Sequence, residues 1–179
     1  MKKAIVYALG LLVLTTSCTK EKDTKNSEVY TVDSESSQVA WKGYLANDYF
    51  NNGTFSVDET TLKVKNGKIE SGSFTIPILS LDVLNLDGDL KAQLEAHLKS
   101  PDFFDVLVHP NATFTITGVS PYQPTGAEDV VDGANIKITG NFTLLGTTKS
   151  ISFPARFELD GQELEAEALL QINRLDWGM

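Results

Sequence analysis

A two-residue alternation of apolar and polar side chains runs through most of the chain from Glu28 onward, and few folds accommodate it. Successive side chains of a strand point to opposite faces, so each alternating run reads as a strand with one buried face. Ile136, Ile138, Gly140, Phe142 and Leu144 share a face of one long strand. Ile151, Phe153, Ala155, Phe157 and Leu159 share a face of the next, and Asp160-Gly161 turns the chain. Leu164, Ala166, Ala168, Leu170 and Ile172 then alternate with Glu163, Glu165, Glu167 and Gln171. Earlier, Val39 pairs in phase with Trp41, Phe55 with Val57, Leu62 with Val64, and Phe114 with Ile116. Asn66-Gly67 fits a two-residue hairpin, because both residues tolerate positive φ. The odd offset between Ile69 and Phe74 predicts a bulge, placed at Gly72. Antiparallel strands with short turns and one apolar face each make an all-β barrel or sandwich.

One segment departs from this period. Leu90, Leu94 and Leu98 are spaced by four, which predicts a short amphipathic helix over Asp87–Lys99, with Asp87 as its N-cap. Ser100-Pro101-Asp102 has the form of a second helix start, with Phe103 and Phe104 dropping into the protein. Residues 120–133 carry Pro121, Pro124, Gly126 and several acids, and read as an exposed loop.

Composition closes other routes. Asp and Glu number 24 against 15 Lys and Arg, a net charge of −9, which disfavours nucleic acid as a partner. One Cys and two His exclude a disulfide framework and Cys-rich metal sites. His97 and His109 are too far apart for a helical metal pair, and no metal site or required cofactor is expected. The chain has no Gly-x-Ser-x-Gly elbow, phosphate loop or dinucleotide fingerprint, so an enzyme is not expected. The alternation offers no inward-facing polar cluster that could do chemistry.

The start of the chain reads as an address. Lys2 and Lys3 precede an apolar run, Ala4–Leu14, well short of the ~20 residues a spanning helix needs. Thr15, Thr16 and Ser17 lead to Cys18, and a polar stretch follows. This arrangement resembles a bacterial lipoprotein lipobox, with Leu14 one step further out than usual. The resemblance implies a signal peptide over 1–17, acylation of Cys18, a tether over 18–27 and a folded domain over 28–179. Cleavage there removes Lys2 and Lys3, taking the net charge from −9 to −11. So acidic a body stands off an anionic membrane, with only the acyl chains in lipid. The expected location is the cell envelope: the outer membrane facing the periplasm, or the cell surface.

His97 to Phe114, HLKSPDFFDVLVHPNATF, resembles the signature of the YceI-like polyisoprenoid-binding family. SQVAWKG, GTFSV, SGSFTIPILSL, ITGNFTLLGTTKSISFPA and INRLDWGM fit the same family in order, from Ser37 to Met179. The resemblance implies an elongated, lipocalin-like antiparallel barrel of about eight strands with one inserted helix. Its lumen would hold a long isoprenoid chain, and the protein would serve as carrier or reservoir. The inward candidates are Val39, Trp41, Phe55, Phe74, Ile76, Phe103, Phe104, Phe114, Ile116, Ile138, Phe142, Phe153 and Ile172, none of them charged. His97 and Asp102 are assigned a structural role, a hydrogen bond tying the helix end to the Phe103-Phe104 turn.

Two departures from the family pattern stand out. Asn51-Asn52-Gly53 replaces the usual His-x-Gly, and the family continues past INRLDWGM with a further strand. A missing C-terminal strand is therefore expected, and its absence would leave open edges. The partners expected are an isoprenoid lipid and a membrane reached through Cys18; a homodimer is allowed. The alternative is a tethered β-module with a filled core that binds a protein partner.

Overall fold

The computed structural model describes residues 27–44, 49–58, 60–126 and 130–179. Cys18, the segment 1–17 and all of the tether before Ser27 lie outside these residues.

Among the described residues the alternating runs form ten strands. They are β1 (Glu28–Thr31), β2 (Gln38–Tyr44), β3 (Phe50–Ser56), β4 (Thr61–Lys65), β5 (Lys68–Pro77), β6 (Asp82–Val83), β7 (Asn111–Pro121), β8 (Ile136–Leu144), β9 (Thr147–Asp160) and β10 (Glu163–Ala168). The helix α1 spans Gly88–Lys99. Seven strands form one antiparallel sheet in the order β1-β4-β5-β7-β8-β9-β10, and β2-β3-β6 form a second. The large sheet curls on itself: Leu62 and Val64 of β4 share a core cluster with Phe153 and Ala155 of β9. The small sheet closes over the other end, where Phe55 and Val83 pack with Ala112 of β7 and Leu144 of β8. The result is an antiparallel, lipocalin-like barrel wall, mostly β with one helix. Among the described residues no ladder joins the two sheets, so the wall is not continuous.

Asn66 (φ 55°) and Gly67 (φ 71°) make the expected hairpin. The β4–β5 register slips at Glu70 instead of Gly72, since Val64 pairs with Ile69 and Lys63 with Ser71. Gly72 serves another purpose: a Cβ there would press on Leu62 and Ile116. A second slip, between Ile116 and Gly118, returns Val119 to the inner face beside Ile138. The loop after β7 begins two residues later than expected, because Pro121 still pairs with Ile136.

The helix lies where its leucines predict, but only Leu98 is buried; Leu94 is half-buried and Leu90 exposed. Asp87 is the N-cap residue, yet its side chain makes no capping hydrogen bond. No second helix starts at Ser100. Ser100 is the C-cap of α1: its Oγ donates to the His97 carbonyl at 2.8 Å and accepts from Asp102 N at 3.2 Å. The turn is then tied down by Phe104 N to the Leu98 carbonyl and Asp105 N to the Ser100 carbonyl, at 3.0 and 2.8 Å. These bonds do the work expected of a His97–Asp102 pair, and both of those side chains are exposed. Asp105 adopts φ 42°, a left-handed conformation that Asp tolerates, and this reverses the chain toward β7.

The helix also shields an edge. Glu95 accepts a hydrogen bond from Val83 N at 3.0 Å, while Lys91 reaches Asp82 at 2.6 Å. A side chain thus replaces a neighbouring strand along the short, otherwise open edge of β6. Glu95→Ala should strip the partner from Val83 N, whose residue is fully buried, and cost about 1–3 kcal/mol. Glu95→Gln keeps an acceptor oxygen and should recover most of that. Denaturant unfolding of the two variants against the parent checks this.

Candidate functional site

The inward faces build two apolar clusters along the barrel. At the helix end, Phe55, Ile78, Leu81, Val83, Leu98, Ala112, Leu144 and Trp177 form the buried set. Val39, Trp41, Ile76, Phe103, Phe104 and Phe142, all sequence candidates, pack against it. At the hairpin end, Ile116, Ile138 and Phe153 lie in the second cluster, with Phe74 and Phe114 against it. Ile151, which the alternation places on the same face as Phe153, touches both clusters. Ile172 joins neither. Strand β10 ends at Ala168, and Ile172 lies beyond it, 40% exposed, where the alternation had placed it in a strand.

Rings set the geometry inside. Phe104 stands edge-on to Phe55 at 5.9 Å and to Phe103 at 4.8 Å. Trp41 leans on Phe55 at 6.4 Å, Phe142 meets Trp177 edge-on at 5.6 Å, and Phe114 tilts against Phe153 at 5.4 Å. Such offset and edge contacts suit the ring quadrupoles. Two of the rings occupy space that only glycine leaves free. The Trp41 indole lies on Gly53, and the Phe114 ring lies on Gly140.

No polar or charged residue is buried among the described residues. The exceptions are at the level of atoms. Trp41 Nε1 and Trp177 Nε1 are buried without a hydrogen-bond partner, each at a cost of about 1–3 kcal/mol. Trp177 sits in a 3-10 turn, Arg174–Trp177, closed by Asn173 Oδ1 accepting from Leu175 N. At the rim of the small sheet Asn85 accepts from Asn52 N at 3.0 Å and donates to Asn51 Oδ1 at 3.2 Å. The Asn pair therefore organises the place where the family pattern has a His, and Asn85 was not legible from the sequence.

A cleft lies along β9 beyond the last pair of its ladder with β10. It holds about 330 Å³ and is lined by Ile151, Ser152, Phe153 and Pro154 of β9 and by Leu169, Leu170, Gln171 and Ile172. It brings together two sequence candidates, Phe153 and Ile172. No group of three or more His, Cys, Asp or Glu among the described residues could hold a metal, and none of the described helices is long and apolar enough to cross a membrane.

A family model described as the YceI-like domain matches residues 30–179. The chain belongs to the YceI-like family. Among curated relatives, a UPF0312 protein of Pectobacterium atrosepticum is 34% identical over 124 residues, covering 69% of this chain and 53% of that protein. Protein YceI of Escherichia coli O157:H7 is 32% identical over 111 residues, covering 62% and 47%. The chain thus spans about half the length of these relatives. The fold is that of Burkholderia cenocepacia BcnA, with a TM-score of 0.56 at 19% identity over 84% of this chain and 80% of that one. A mutant CJ YCEI protein gives 0.50 at 16% identity, over 99% and 84%.

The ring-on-glycine contacts are directly testable. Gly140→Ala would drive a Cβ into the Phe114 ring and toward the Thr115 carbonyl, and overpacking of this kind costs about 1–3 kcal/mol. Adding Phe114→Leu should recover part of that loss and no more, since the carbonyl stays in place. Thermal unfolding of the single and double variants reads both effects.

Proposed function

We propose that this YceI-like chain binds a long-chain isoprenoid lipid, of prenyl-quinone or polyprenyl type, in its apolar interior, as a carrier or reservoir rather than an enzyme. The observation that carries this reading is the interior itself. Two aromatic-rich clusters, linked through Ile151, run along a barrel in which no described charge is buried. Burying an isoprenoid tail gains roughly 0.8 kcal/mol per methylene, so a few units give useful affinity. An uncharged interior suits a quinone ring or an alcohol better than a phosphate, whose desolvation would go unrepaid. The two buried indole N–H groups offer donors to an acceptor oxygen.

The lipoprotein reading fits this function. Cys18 lies nine residues before Ser27, a reach of roughly 30 Å when extended. Ser27 donates to Glu70 at 2.8 Å, and β1 starts opposite Val64, next to the Asn66-Gly67 hairpin. An acylated Cys18 would therefore hold the hairpin end of the barrel toward the lipid surface and the helix end away from it. An envelope location follows from the same reading.

Native mass spectrometry of the soluble domain beginning after Cys18, alongside organic extraction, tests the function. A co-purifying or added polyprenyl lipid should be retained by the parent and lost in a folded Phe114→Asp variant. Refusal of offered prenyl quinones and polyprenols by folded parent would leave a filled core and favour a partner-binding module.

A further inference from the structure

The eight residues lining the cleft are not a random set. In the β9–β10 ladder each step forward on β10 is one step back on β9, ending with Ala168 opposite Ala155. Continued, that register would set Leu169 opposite Pro154, Leu170 opposite Phe153, Gln171 opposite Ser152 and Ile172 opposite Ile151. These four unmade pairs are the lining of the cleft. The cleft is a ladder that has come unzipped.

Pro154 supplies the physical reason. Asn135 N takes the Ala155 carbonyl at 3.0 Å, and the Asn135 side chain takes both backbone groups of Phe157 at 2.9 and 2.8 Å. Ala155 and Phe157 therefore turn their backbone groups toward β8. Alternation along a strand turns those of Pro154 toward β10. Proline has no N–H to give, so the ladder loses a bond at the first pair beyond Ala168.

Resting on the isoprenoid reading above, we infer that this unzipped seam is a lateral portal and binding subsite, through which a prenyl chain enters the barrel sideways. The cleft borders the interior, because two of its lining residues belong to the core: Ile151 packs against both clusters and Phe153 is part of the hairpin-end one. No charged side chain lines it. Its ~330 Å³ is at the small end of ligand pockets, enough for a segment of a long chain and not the whole. Its place midway along β9 lets one chain extend toward both ends without threading through either.

The test closes the seam. In a chain carrying Cys18→Ser, Ser152→Cys and Gln171→Cys are opposite one another in the continued register, within disulfide range once the strands meet. Uptake of a polyprenol from detergent is followed by native mass spectrometry before and after oxidation. Oxidation should slow uptake by roughly tenfold or more, and reduction should restore it. Uptake indifferent to the crosslink overturns the portal and leaves the lipid-binding function standing. A parent chain that takes no polyprenol overturns the function and the portal with it. Should the double variant fail to fold or to crosslink, a benzophenone-tagged polyprenol on the parent decides the matter. Labelling within 151–154 or 169–172 supports the portal, and labelling confined to other residues overturns it.

Discussion

The interior of this barrel depends on large rings lying on glycines. Phe114 occupies the volume a side chain at Gly140 would fill, and Trp41 does the same over Gly53. Each glycine lies on the strand next to the ring's own, Gly53 directly opposite Trp41 and Gly140 on β8 beside Phe114 on β7. The ring therefore folds over its neighbour's bare backbone and packs closely on the inner face. A row of bulky residues at those positions would splay the wall. The same contacts place aromatic surface along the axis, which a slender apolar chain would touch.

From that constraint follows a division of labour. The long strands β7, β8 and β9 carry the wall, and the small sheet with α1 closes one end. The helix contributes less through its leucines than through Glu95 and Lys91, which hold β6, and through the Ser100 turn that delivers Phe103 and Phe104. The pairing of β10 with β9 stops at Ala168. There the ladder ends for a local reason, a proline whose missing donor faces the seam, while the β8 side of the same strand is paired without a break from Thr147 to Ala155.

Much of the site was legible because strand periodicity is a local property. Alternation alone turns Phe55, Ile116, Ile138 and Phe153 inward, and all are buried. Alternation turns Ile172 inward too, but its strand ends four residues earlier, and no signal in its own segment marks that end. The Gly72 bulge was displaced to Glu70 because register answers to both neighbouring strands, and only one neighbour is visible in a hairpin sequence. Glu95, Asn85 and Trp177 carry no such local signal: each acts on a residue far away in the chain, or through a turn whose partners are tertiary.

The sequence by itself determined the all-β class, the hairpin at Asn66-Gly67, the helix and the uncharged inner face. Each is written in spacing or in a turn residue's backbone preference. Tertiary structure alone decided that the strands divide into two sheets, that two clusters meet at Ile151, and that the β9–β10 ladder stops beside Pro154. These depend on which strands become neighbours and in what register. Proline's lost hydrogen bond matters only once the strand it faces is known.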